Sequence, residues 1–479
     1  MSIVIPDYTI PFDGPIIFVG FGSVGRGLLP LIKRHITPHN GAITVIDPKD
    51  INRPIAEKYN ATFLHFGLTK ENYIEVLDSL LGDKTKRGFI VSVCNEVSSK
   101  ALAEYAAKNN AFYIDTVVEP WPGFYFNSNL DKVSQSNYML REDFQSLKQD
   151  FKNSQTSISC CGANPGMVSW FVKEALLNLA KDLGREISTP HTKDEWAKLM
   201  FDLGVKGIHI AEKDTQIGKY PRPRNQFLNT WSSEGCMAEV LQPAELGWGT
   251  HEKQMPKDGH EHTQGNKAAI YLDTPGGEVR VHTWTPTDGA HFGYLITHNE
   301  AISITDYFTL RDGDQVIFRP TCHYAYHPSG VAIESLNELF NERDKNPQTD
   351  IHILDEDEIV SGADELGVLL YGHERGAYWF GSRLTIEETR ALAPHQNATG
   401  LQVTSATLAG IIYALKHPQE GIIETDDIDH QECLELQKPY LGKVFGVYTD
   451  WTPLGETGGV NAEDKWQFEN IRITEPNNQ

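Results

Sequence analysis

The feature that most constrains this chain is a stretch near its start. Residues 15–20 (PIIFVG) form a short apolar run that passes directly into Gly20-Phe-Gly22-Ser-Val-Gly25-Arg-Gly27. A helix-like stretch, 28–35, follows, and then a second apolar run, 42–47 (AITVID), which ends in Asp47, 22 residues beyond Gly25. This spacing has physical causes. The first glycine permits a tight turn, the second lets the backbone approach a pyrophosphate, and the third lets helix and strand pack closely. The helix N-terminus then faces the phosphates. A carboxylate at the end of the second strand accepts hydrogen bonds from ribose hydroxyls and repels a 2′-phosphate, which favours NAD over NADP. Arg53, close by in sequence, is the one residue that weakens this preference.

The alternation continues. Residues 88–94 and 111–118 are apolar enough for buried parallel strands, and 98–109 carries helical spacing between them. Strands alternating with helices predict a doubly wound, Rossmann-type α/β sheet, whose ligands bind beyond the carboxyl ends of the strands. That places Cys94, Asn95, Glu96, Thr116 and Glu119 at the nicotinamide end. The expected cofactor contacts are Gly20, Gly22, Ser23, Val24, Gly25, Asp47, Cys94, Asn95, Thr116 and Asn164.

A chain of 479 residues is long for one core, so a second domain is expected. The polar stretch 131–155 reads as helix and connector. Asn164-Pro165-Gly166 is a turn signal before an apolar helix, 168–180. Segments 195–204, 207–211 and 292–297 read as a helix and two strands, with Glu212 closing the first strand and His298 following the second. Ser232 is a helix cap beside Trp231. Residues 366–370 and 377–380 suggest a hairpin, and 401–415 a long apolar helix. These mixed elements predict an α+β substrate domain.

Two polar stretches read as surface. Residues 250–266 carry His251, His260 and His262 in no metal-ligand spacing, so a loop is expected there and no metal. The acids 355–358 and Asp364-Glu365 read as a solvated face.

Charge restricts the partners. The net charge is -23, which disfavours nucleic acid and anionic membranes. Residues 231–300 hold ten Asp or Glu and four Lys or Arg, a composition suited to a cation rather than a dicarboxylate. The six cysteines show no C-x-x-C spacing or disulfide framework. No basic and apolar leader opens the chain, and no apolar run reaches the ~20 residues of a membrane span. A cytoplasmic protein is expected.

Three segments, GFGSVGRGLLPLI, CGANPGMVSWFV and TWSSEGCMAEVLQPAELGWGTHE, together resemble bacterial homospermidine synthases, relatives of the saccharopine dehydrogenase group. The resemblance covers most of the chain. It implies a transferase that converts two putrescines, or spermidine plus putrescine, into homospermidine and ammonia, with NAD recycled as a prosthetic group. It further implies that Trp231 stabilises cationic imines, that Glu212, Glu239 and His298 hold or deprotonate amines, and that Glu96, Glu119, Asn164 and Asp364 complete the diamine pocket. It implies a homodimer. It also implies a discontinuous cofactor domain, 1–162 with 395–423, around a substrate domain, 163–394, with 424–479 as an extension. Two alternatives stay open on the residues alone: an amino-acid or amine dehydrogenase with net NAD(P) reduction, and a non-catalytic NAD sensor.

Overall fold

The computed structural model describes residues 8–83, 85–125, 127, 129–342, 348–455 and 465–474. The chain divides into two compact units, 1–167 with 387–441 and 168–386 with 442–479.

The first unit is built on a seven-stranded parallel sheet. Its spatial order is Ile422–Glu424, Ser157–Ser159, Phe112–Asp115, Phe89–Ser92, Ile16–Val19, Ile43–Ile46, Thr62–Leu64. The strand order reverses between Ile16–Val19 and Phe89–Ser92, which is the topological switch point where such sheets bind ligands. These strands are short because each is buried along its length and needs only four or so apolar residues. Helices cover them: Ser99–Lys108 starts where Ser98 Oγ accepts from Ala101 N at 3.3 Å, and Ala398–Lys416 where Asn397 Oδ1 accepts from Gly400 N at 2.9 Å.

Helix Ala398–Lys416 is long and apolar enough to cross a membrane by length and composition, contrary to the expectation that no such run exists. Most of it is buried inside the first unit, packed on helix Ser23–His35, whose Gly27 leaves room for Gln396. That helix also starts five residues before the expected 28, because Gly25 and Gly27 serve close packing rather than ending the helix.

The second unit carries a ten-stranded mixed sheet. Its central strands, Gly207–Asp214 and Thr321–His327, run parallel. Their neighbours, Ala363–His373 on one side and Pro243–Gly247 on the other, run antiparallel. Register decides which side chains share a face. Glu212 lies opposite both Tyr326 and Leu366, Asp214 opposite Asp364, and Ile210 opposite Tyr324. Because side chains alternate along a strand, Glu212, Asp214, Tyr324, Tyr326 and Asp364 fall on one face. Behind it, Leu246, Ile270, Tyr371 and Trp379 belong to the main apolar cluster.

Several surface expectations are corrected. Asp364 and Glu365 are buried, because they lie within the inner strand Ala363–His373 rather than continuing the acidic turn at 355–358. His262 is also buried: strand Gly259–Glu261 pairs with Ala269–Pro275 and brings it beside Glu245 at 3.5 Å. The strand expected at 292–297 is Gly289–Tyr294, fixed by its hairpin with Arg280–Thr285. The stretch 424–479 does not form one extension. It splits between the units, and Lys443–Thr449 adds an edge strand beside Gly376–Thr385.

Candidate functional site

Two sets of residues carry the chemistry, one in each unit. In the first, Gly20 holds φ +88°, a left-handed backbone, and any side chain there would run into Cys94. Gly22 is the opposite case. It is exposed, it N-caps helix Ser23–His35 without a side-chain bond, and an added Cβ would meet nothing within 4 Å. The first-turn amides beside Ser23 and Val24 therefore lack a side-chain cap at a helix end that attracts anions.

Asp47 sits just past strand Ile43–Ile46, with Oδ2 accepting from Phe21 N at 2.6 Å and Oδ1 from Lys49 N at 2.7 Å. Asn52 Nδ2 donates to Phe21 O at 2.9 Å and ties the two loops together. The Arg53 guanidinium lies 5.0 Å from the Phe63 ring centroid. Cys94, Asn95, Glu96, Thr116 and Glu119 follow the strands Phe89–Ser92 and Phe112–Asp115 on the loops expected to carry them. Burial, with Glu119 and Asp47 nearby, pushes the Cys94 thiol up to about 12. Glu96 is exposed at φ +75°, and Glu119 N donates to Ser99 Oγ at 2.9 Å. Asn164 is half-buried, in the turn where Gly162 N donates to Pro165 O.

These residues fit a dinucleotide: an open glycine, an uncapped helix end and a fixed carboxylate stand where phosphates and ribose need them. We expect Gly22→Val to cost about 1 kcal/mol of stability, because valine caps a helix poorly. Because the new side chain would occupy the phosphate approach, NAD affinity measured by calorimetry should fall about tenfold or more. Unchanged affinity would remove this cradle.

In the second unit, the expected residues Trp231, Glu212, Glu239 and His298 are brought together. His298 lies between two carboxylates, with Nε2 3.0 Å from Glu239 Oε2 and Nδ1 3.2 Å from Glu300 Oε1. Burial pulls its pKa down, but Glu300 and Glu239 outweigh burial and hold it well above the usual histidine value. The two carboxylates therefore favour the protonated form of this imidazole. Its ring packs 4.3 Å from Tyr324 and edge-on to Trp231 at 6.4 Å, centroid to centroid.

Tyr324 Oη donates to Glu212 Oε2 at 2.6 Å, and Trp231 Nε1 donates to Tyr326 Oη at 2.9 Å. Burial, then the nearby Glu212, Asp214 and Asp364 carboxyls, raises the Tyr326 hydroxyl well above its ordinary value. Asp214 accepts from Thr230 Oγ1 at 2.5 Å and Gln216 N at 2.8 Å, while burial pushes it up to about 6. Asp364 thus joins the cluster, whereas Glu96, Glu119 and Asn164 lie in the first unit with the dinucleotide contacts.

Sequence reasoning missed Glu300, Tyr324, Tyr326 and Asp214. The period-two pattern of Thr321–His327 carried a usable signal, since it sets both tyrosines on one face. His251, His260 and His262 do not converge: they meet Trp466 O, Asp273 and Glu245 respectively. Among the described residues, no group of three or more His, Cys, Asp or Glu is placed to hold a metal ion.

Such a cluster, with a protonated imidazole among carboxylates and an indole wall, can hold ammonium groups and move protons between them. Comparisons with known proteins agree with its two-part design. Residues 16–158 match the saccharopine dehydrogenase NADP binding domain, and 162–446 the saccharopine dehydrogenase C-terminal domain. A homospermidine synthase of Blastochloris viridis is 54% identical over 467 residues, covering 96% of this chain and 98% of that protein. That of Mesorhizobium japonicum is 54% identical over 468 residues, 96% of each chain. The crystal structure of the Legionella pneumophila homospermidine synthase in complex with NAD superposes with a TM-score of 0.88 at 44% identity, over 97% of this chain and 99% of that one. The chain belongs to the homospermidine synthase family, within the saccharopine dehydrogenase group.

Proposed function

We propose that this protein is a homospermidine synthase, an aminobutyl transferase that makes homospermidine and ammonia from two putrescines, or from spermidine and putrescine. The observation that carries the reading is His298, held between the Glu239 and Glu300 carboxylates beside the Trp231 indole. The two carboxylates and the indole face of this set attract the ammonium groups of a polyamine.

When bound, NAD takes a hydride from the carbon bearing one putrescine amine and returns it to the product imine, so no net oxidation results. Gly22 and the first turn of helix Ser23–His35 would hold the pyrophosphate, and Asp47 the ribose hydroxyls. The matched domain is named for NADP, but both Asp47 oxygens are fixed by backbone N–H groups, and that charge opposes a 2′-phosphate.

The chain's own residues divide the remaining work. Trp231, pinned through Nε1, presents its face to a cationic carbon–nitrogen centre, an attraction worth about 2 kcal/mol when desolvated. Glu212, oriented by Tyr324, holds an ammonium group. Glu239 is the member of the His298 trio with solvent access, at 20% exposure, and takes the proton of the attacking amine. His298, already charged, gives a proton to the departing ammonia and is recharged through its 3.0 Å contact with Glu239. Asp364, in the same cluster, completes the binding of the diamines in this reading. A homodimer belongs to it through the family resemblance, six free thiols favour a reducing, cytoplasmic setting, and the net charge of -23 disfavours nucleic-acid and anionic-membrane partners.

Incubation with NAD and putrescine, followed by mass spectrometry and absorbance at the reduced-nicotinamide band, tests the reading. Homospermidine and ammonia without accumulating NADH are expected. NADH formed in proportion to product would show a dehydrogenase instead.

A further inference from the structure

Asp115 ends strand Phe112–Asp115 and is 1% exposed. Its carboxylate reaches across to the next strand's exit. Oδ1 accepts from Cys160 N at 2.6 Å, and Oδ2 accepts from Tyr113 Oη at 2.7 Å. Its own carbonyl accepts from Cys161 N at 2.8 Å. One residue therefore fixes two successive amides of a neighbouring loop.

The amide that the carboxylate holds belongs to a residue in an unusual conformation. Cys160 has φ +56°, a left-handed backbone that costs a residue with a Cβ and needs outside support. From this point the chain turns through Gly162–Gly166, closed by Gly162 N to Pro165 O at 2.8 Å and Met167 N to Gly162 O at 2.9 Å. Thr407 Oγ1 grips the Cys161 carbonyl at 2.8 Å from the other side. Asn164 sits within that turn, and Thr116 is the residue after Asp115.

We infer that Asp115 is a positioning residue: its buried carboxylate sets the left-handed turn at Cys160 and so fixes Asn164 and Thr116 for the cofactor. The inference rests on the reading of those two residues as NAD contacts. Asp115 touches neither cofactor nor substrate and acts only through the loop. Burial pushes the carboxyl up to about 7, but its Oδ1 accepts from Cys160 N whether or not the group is charged, and sealing from solvent strengthens that bond. Tyr113, at the second oxygen, orients the carboxylate without touching the loop.

The test compares Asp115→Ala, Asp115→Ala with Cys160→Gly, and Tyr113→Phe against the parent holoenzyme. NAD affinity is measured by calorimetry, and turnover by homospermidine formation. Asp115→Ala should weaken NAD about tenfold or more, because Cys160 N loses its buried acceptor. Glycine at 160 adopts the left-handed backbone unaided, so the double variant should recover most of that affinity. Tyr113→Phe should leave NAD affinity within about twofold of the parent. Should Asp115→Ala not fold, Asp115→Ser, whose hydroxyl is too short to reach Cys160 N, is read in its place, and Asp115→Asn, which keeps the Oδ1 acceptor, should stay near the parent. Unchanged NAD affinity, a loss that Cys160→Gly does not repair, or an equal loss in Tyr113→Phe would each overturn the inference. A parent that binds NAD but makes no homospermidine would instead count against the proposed function, and leave the NAD comparison intact.

Discussion

His298→Ala should lower kcat by about a hundred- to ten-thousand-fold, the range for removing a positioned proton carrier. It should also cost stability. Glu239 and Glu300 would lose the cation between them, and Glu300 is fully buried. Stranding a buried charge costs on the order of 3–5 kcal/mol. Solvent at Glu239 relieves part of that, so we expect about 2–3 kcal/mol, read from urea denaturation at pH 7. The pH dependence has a definite sign. The folded-state pKa of His298 lies above its unfolded value of about 6.5. Its contribution is therefore complete below pH 6.5 and declines as pH rises through the folded pKa. The gap in stability between parent and His298→Ala should shrink at alkaline pH. A gap that widens there would show that the imidazole is not charged in the native state.

Trp231→Leu is the second large effect. The indole contributes a face, and its Nε1 ties it to Tyr326. Trp231 is only half-buried, so leucine should leave folding nearly unchanged, within about 1 kcal/mol. Losing the cation–π contact of about 2 kcal/mol should lower kcat/KM about thirtyfold. Trp231→Phe keeps a weaker face and should fall between the two. A phenylalanine variant no better than leucine would mean that Trp231 acts by filling space.

The first unit was nearly legible in its residues. Its strands are buried on both faces, so they read as continuous apolar runs, and the glycine turn with Asp47 fixed their order. Ser98 and Asn397 cap their helices in the structure, a signal that the reading from apolar spacing did not use. The second unit was less legible, because its buried groups are acids. A run such as 355–358 followed by Asp364-Glu365 looks like surface. Only the pairing of Ala363–His373 with Gly207–Asp214 reveals that the latter two are inside. Glu212, Glu239, Trp231 and His298 were found through a resemblance, not through periodicity. Glu300 escaped because its partner, His298, is adjacent only once the turn into helix Asn299–Tyr307 is made. Asp115 escaped for a similar reason: its loop partner lies 45 residues away.

The central claim is that one bound NAD both removes and restores the hydride. The most direct measurement uses putrescine deuterated at both amine-bearing carbons, with excess unlabelled NADH in solution and homospermidine read by mass spectrometry. The account predicts that the product keeps all of its deuterium, because the hydride taken from the donor carbon returns to the imine without leaving the protein. Product lacking one deuterium per molecule, with label appearing in the free nucleotide, would contradict it.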